Sequence, residues 1–137
     1  MSIKEDPIKL HKDANALMEN GKSVEARDLF TKSGELYFKG QNYFGAAEMY
    51  YKAGECSVNL KEYTQAVDFF TKAADIALSK GFDRYGLSAL QEAQNAQKTA
   101  GDLEAVAEIE SRIKEVNDKI NKQNAAGDED SSFSVFS

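Results

Sequence analysis

Cysteine, histidine and proline each occur once in this sequence of 137 residues, and tryptophan not at all. A lone Cys56 excludes an intrachain disulfide and fits a reducing compartment. With His11 as the sole imidazole, no Ser–His–Asp or Cys–His arrangement with a second base can form within one chain. No Cys/His cluster has zinc spacing. The nine glycines scatter to helix ends and stripes and form no phosphate-cradling loop. The GDED run around Asp128 lacks the alternating ligands and closing glutamate of a calcium loop. We therefore assign no catalytic residue, metal or cofactor, and the chain reads as non-enzymatic. No apolar run approaches the ~18 residues a membrane span needs, and the opening MSIKEDPIKLHKD lacks the apolar core of a signal peptide. A soluble, cytoplasmic protein is expected. Positive charge is in deficit, at a formal net −6, which makes nucleic acid and anionic membrane poor default partners.

What the sequence does have is repetition. The stretch Glu25–Tyr37 returns as Gly45–Ser57 and again as Gln65–Ala77. Ala26, Ala46 and Ala66 are twenty residues apart, as are Phe30, Tyr50 and Phe70, and then Ser33, Ala53 and Ala73. A weaker fourth copy runs through Gly86, Leu90 and Ala93. Small–aromatic–small at i, i+4, i+7 makes one helical stripe, and its small members admit a neighbouring helix closely. A unit that cannot bury its own stripe signals a stack of helical repeats. The overall composition, 42% hydrophobic and 29% charged, is that of a folded globular chain.

Six helices follow. Asp6-Pro7 opens the first, with aspartate as N-cap and proline in the first turn, and Gly21 ends it. Ser23 is read as the cap of the second, Asn42 as the start of the third, and Asp83 and Asp102 as caps of the fifth and sixth. The turn Leu60–Glu62 leads into the fourth. Adjacent helices run antiparallel, so the structural unit is a hairpin of about forty residues. The predicted fold is all-α: a right-handed stack of about six antiparallel helices in three hairpins, with residues 1–122 as one domain.

In the sixth helix Val106, Ile109, Ile113, Val116 and Ile120 step by three and four. That narrow seam predicts a helix capping the last repeat, and two heptads are too few to favour the alternative, a homodimeric coiled coil. From residue 123 the pattern gives way to a disordered acidic tail, in which Phe133 and Phe136 are candidates for a docking motif. Tyr37, Phe38, Tyr43 and Phe44 crowd one turn. Tyr37 and Tyr43 are expected to pack, while Phe38 and Phe44 are candidates for an exposed edge touching a partner or, peripherally, a membrane. Asp28–Lys32, Glu48–Lys52 and Asp68–Lys72 are spaced as i, i+4 ion pairs on solvated faces. The other reading is a lysine ladder for an acidic ligand.

Ala26, Phe30 and Ser33 behind Gly21 resemble the tetratricopeptide unit, although the step here is about forty and not the ~34 of that repeat. The stretch Tyr43–Gly81, YFGAAEMYYKAGECSVNLKEYTQAVDFFTKAADIALSKG, is similar to the soluble fusion-factor attachment proteins, the SNAP family. That resemblance implies a sheet of helices that binds SNARE bundles and recruits a disassembly ATPase. The family's second helical half, its leucine-bearing acidic end and its phenylalanine-bearing membrane loop after the first helix are not seen here, and Glu19–Ser23 holds no aromatic. What carries over is the fold and the partner class. By analogy with tetratricopeptide grooves, the first helix of each pair would line a partner-binding groove with His11, Asn15 and Met18, then Tyr51, Glu55 and Asn59, then Gln91, Asn95 and Lys98. Ser88 and Glu92 stand where a carboxylate clamp would need basic side chains, so a ligand held by its C-terminal carboxylate is disfavoured. The leading expectation is a non-enzymatic adaptor holding a peptide or helix of another protein. The alternatives are a trafficking factor binding SNARE-type coiled coils and a structural homodimer.

Overall fold

The computed structural model describes the backbone of residues 5–136 and the side chains of residues 5–126. Six helices succeed one another: α1 (Pro7–Glu19), α2 (Ser23–Lys39), α3 (Tyr43–Asn59), α4 (Tyr63–Ser79), α5 (Asp83–Ala100) and α6 (Leu103–Phe136). Each packs along the next, so they form an antiparallel stack. No described residue lies in a strand.

The regular step comes from the turns. Gly21, Gln41, Lys61, Gly81 and Gly101 all adopt positive φ, at 76°, 63°, 59°, 84° and 84°. In each turn the following N–H donates five residues back, as Lys22 N does to Leu17 O at 2.8 Å and Asn42 N to Tyr37 O at 2.9 Å. This is the Schellman closure, which satisfies carbonyls the helix leaves unpaired. The closure also corrects two expected caps. The cap positions are Lys22 and Phe82, and Ser23 and Asp83 are the first helical residues, both buried. The expected caps at Asp6 and Asn42 are seen, accepting from Ile8 N and Gly45 N at 2.9 Å.

The repeated stripe is the core. Ala26, Phe30, Ser33, Ala46, Ala53, Ala66, Phe70, Ala73, Leu90 and Ala93 are wholly buried, and Tyr50 nearly so. Ser33 Oγ donates to Pro7 O at 2.7 Å, which ties α2 to the start of α1. Gly54 of α3 lies so close to the Phe70 ring of α4 that an added Cβ would stand 2.7 Å from it. Cys56 is buried in the same interior, and burial pushes its thiol up to about 11, so it is an inert space-filler.

α6 caps the stack. Val106, Ile109, Val116 and Ile120 are buried and Ile113 is half-buried; the helix packs on α5. The seam is therefore spent inside the molecule and is not available to a second copy. Beyond Ile120 the side chains of residues 121–126 are all exposed. The helical backbone continues to Phe136, past the expected boundary at residue 122, through the helix formers Gln123, Ala125 and Ala126. The candidate docking residues Phe133 and Phe136 lie outside the described side chains.

Two predictions follow from the turns and the close approach. Gly54→Ala is expected to lower unfolding free energy by about 1–3 kcal/mol through overpacking against Phe70, outweighing the ~1 kcal/mol that alanine adds in a helix. Gln41→Gly should raise it by roughly 1 kcal/mol, because glycine adopts the left-handed region without the Cβ penalty. Urea unfolding of the two variants beside the parent checks both signs.

Candidate functional site

Antiparallel stacking sorts the helices into two layers, and side-chain bonds across each layer identify its members. In the odd layer, His11 Nε2 of α1 lies 4.0 Å from Glu48 Oε1 of α3, and the Tyr51 ring of α3 lies 5.5 Å from that of Tyr85 on α5. In the even layer, Arg27 of α2 reaches Gln65 Oε1 of α4 at 2.8 Å and also bonds Glu62 and Ser57 Oγ, while Arg112 of α6 donates to Asp75 Oδ1 of α4 at 2.7 Å.

The odd layer carries half-buried rings and carboxylates. Tyr51 stacks edge-on against Phe70 at 5.2 Å, and burial, followed by the charges of Glu92 and Glu55, pushes its hydroxyl up to about 12. Burial also raises Tyr85, with Glu48 the next cause. Glu55 is held above the ordinary carboxylate range by burial, with Glu92 adding to it and Lys52 opposing. Of the nine groove residues expected from sequence, His11, Tyr51 and Glu55 meet at these seams. Asn15 is half-buried, Met18 packs on the core beside Phe30, and Asn59, Gln91, Asn95 and Lys98 are exposed. Gln91, Asn95 and Lys98 of α5 are not among the residues that act on Tyr51 and Glu55. Residues equivalent by the forty-residue step point the same way but do not touch; the partners of Tyr51 and Glu55 come from the facing flank, as Tyr85 and Glu92.

The even layer carries a cleft and cations. Between α2 and α4 lies a cavity of about 480 Å³ lined by Arg27, Leu29, Lys32, Gln65 and Phe69, and a second of about 380 Å³ lined by Phe38, Lys39, Tyr50, Lys72 and Ile76. Glu35 borders both, which makes them one trough along the helix axes. Lys32 and Lys72 stand one forty-residue step apart, and Arg112 stands one more on, in α2, α4 and α6. None of the three expected i, i+4 ion pairs closes among the described residues. Lys32 instead meets Glu5 Oε1 at 3.0 Å, Lys72 Nζ lies 4.4 Å from the Tyr50 ring centroid, and Lys52 Nζ lies 5.9 Å from that of Phe30. Cross-helix rings and carboxylates outcompete a solvated pair worth a few tenths of a kcal/mol. The lysine ladder read from sequence included Lys52, which antiparallel stacking turns away from Lys32 and Lys72, and it did not include Arg112. The forty-residue step isolates the set.

Among the described residues no three His, Cys, Asp or Glu side chains converge as a metal site, and no helix is long and apolar enough to cross a membrane. A search of curated proteins finds no match. Residues 9–129 match the family described as Soluble NSF attachment protein, SNAP. The chain belongs to the SNAP family. Helices α2 to α5, of seventeen or eighteen residues, joined by short left-handed turns account for the step of about forty per hairpin. Phe38 and Phe44, left between core and surface by the SNAP chain's sequence, are 48% and 42% exposed, whereas Tyr37 and Tyr43 pack on the core as expected.

The desolvated Glu55 gives a prediction with a definite sign. Its folded pKa is raised, so its charged form costs stability above that pKa, and the cost disappears as pH falls through the carboxylate range. Glu55→Gln should therefore stabilise the protein at neutral pH. The gain should fade toward acid pH, as read by urea unfolding at pH 7 and pH 4.

Proposed function

We propose that this SNAP-family chain is a non-enzymatic trafficking adaptor whose even layer holds an acidic α-helical coiled coil of the SNARE type. The observation that carries this reading is the register of Lys32, Lys72 and Arg112 across α2, α4 and α6, beside a trough with an apolar floor. Packed helices lie roughly 8–10 Å apart. Two turns of a partner helix rise about 10.5 Å, so carboxylates seven residues apart would meet successive rungs. Heptad repeats supply that spacing. The chain's net charge of −6 does not oppose it at contact range, because screening confines the field to roughly 8 Å at physiological salt.

A second reading is a peptide along the odd layer, at the groove of His11, Asn15, Met18, Tyr51, Glu55, Asn59, Gln91, Asn95 and Lys98. The half-buried Tyr51 and Glu55 favour it. An exchange of both residues at Tyr51→Ala and Asn95→Ala tests it directly.

The triple variant Lys32→Glu, Lys72→Glu, Arg112→Glu is expected to weaken capture of an acidic four-helix coiled coil by ten-fold or more, on the order of 1.4 kcal/mol. The loss should shrink as salt rises. Calorimetric titration reads it. Unchanged affinity in the triple variant, with loss in the Tyr51/Asn95 variant, would transfer the site to the odd layer.

A further inference from the structure

Within the odd layer, the furrow between α3 and α5 brings rings and carboxylates together. Both helices pack on α4, and side chains from all three meet along the furrow. The Phe44 and Tyr85 rings lie 5.0 Å apart, Tyr85 and Tyr51 lie 5.5 Å apart, and Tyr51 closes edge-on against Phe70 of α4. The two tyrosines are half-buried, so part of each ring still faces solvent. Three half-buried carboxylates surround the pair: Glu48 and Glu55 act on the Tyr85 hydroxyl, and Glu92 and Glu55 on that of Tyr51.

Little positive charge answers them. Among the described residues neither Glu55 nor Glu92 closes an ion pair, and Glu48 meets only His11 at 4.0 Å, an imidazole charged only when protonated. Lys52 is the one cation acting on Glu55, and its Nζ lies 5.9 Å from the Phe30 ring centroid of α2. Of the other cations on α1, α3 and α5, Lys9 bonds Asp13, Arg84 bonds Asn124, and Lys12 and Lys98 are exposed. None of these four acts on Tyr51, Glu55 or Tyr85. A bare divalent cation does not fit either, because no three carboxylates among the described residues converge as a metal site.

We infer that the α3–α5 furrow docks a basic helical segment of a second protein, with lysine or arginine stems on Tyr51 and Tyr85 and their charged heads at Glu48, Glu55 and Glu92. This occupant gives the odd-layer groove of the second reading its chemistry, and it rests on that reading. A cation over a tyrosine face is attracted by the ring, and a long basic side chain covers apolar surface while its head stays in water. Glu48 and Glu55 are seven residues apart, two turns or about 10.5 Å along α3. A partner helix with cations at the heptad interval would meet both, and Glu92 would reach it from α5. Charge complementarity selects the occupant. An acidic helix would be repelled, and a purely apolar one would desolvate three carboxylates without pairing them.

Fluorescence anisotropy of the full chain with a labelled, alanine-based helical peptide tests it. The probe carries arginine at every seventh residue, and the control has the same composition in scrambled order. The parent should bind the probe about ten-fold more tightly than the control, with the difference shrinking as salt rises. Glu55→Gln with Glu92→Gln should weaken probe binding about ten-fold. Glu104→Gln with Glu108→Gln removes the same charge from exposed positions of α6 and should change binding less than about two-fold. Tyr51→Ala with Tyr85→Ala should also weaken binding about ten-fold, and the Glu55/Glu92 variant decides the matter if this one loses helical circular dichroism. Equal binding of probe and control, unaltered binding by the Glu55/Glu92 variant, or an equal loss in the Glu104/Glu108 variant would overturn the inference. So would a parent mass that rises with concentration and falls back in the Glu55/Glu92 variant, which would give the furrow to a second copy of the chain. Failure of the parent to bind the probe, together with partner loss in the Tyr51/Asn95 variant, would remove the basic occupant and leave the odd-layer groove standing.

Discussion

The close approach of Gly54 to the Phe70 ring is the contact on which the stack depends, because it states in one place what every hairpin repeats. A ring can lie between two helices only where the facing residues are small. The chain therefore alternates alanine, serine or glycine with one large side chain per turn of the stripe. Gly34 stands in the same relation to Met49 and Tyr50 one helix earlier. Packing of this kind is nearly one-dimensional, each helix answering to its neighbours. Interior positions then leave little freedom for function, and what distinguishes this chain must lie on the layers and the ends.

Antiparallel alternation governs how those surfaces are populated. A motif copied every twenty residues deposits its lysines alternately on two layers, so Lys52 ends in a different setting from Lys32 and Lys72. The odd layer buries carboxylates and tyrosine hydroxyls against each other at the expense of their charged forms. The even layer sets Lys32, Lys72 and Arg112 across successive helices, partnered by Glu5, the Tyr50 ring and Asp75. One repeating sequence has in this way produced two surfaces of different make-up, which a single partner would not engage equally.

Much of the architecture was legible because it rests on local rules. The stripe at Ala26, Phe30 and Ser33 reads directly as burial, and the 3-4 seam of α6 reads as a cap. The left-handed turns were half-hidden. Glycine announces them at residues 21, 81 and 101, whereas Gln41 and Lys61 adopt the same backbone only because the six-residue closure and the flanking packing impose it. Ser23 and Asp83 look like caps by residue type, yet turn geometry shifts them one place inward. The surfaces were the least legible part. Phe44 and Phe82 are thirty-eight residues apart in sequence, and nothing short of the folded stack indicates that their rings touch. Glu92 likewise acquires its relation to Glu55 only when α3 and α5 are laid side by side.

The set Lys32, Lys72 and Arg112 crosses from helix to helix, at right angles to the axes, whereas the trough between α2 and α4 runs along them. A coiled coil matched to the cations would lie across the helix axes, and one seated in the trough would run along them. Cations decide in favour of the first arrangement only when the partner's carboxylates recur at the heptad interval; the apolar floor at Phe69 and Ile76 favours the second for a partner presenting an aliphatic stripe. The geometry of the chain thus makes the charge pattern of the partner helix, and not its overall acidity, the quantity that sets its direction relative to the helix axes.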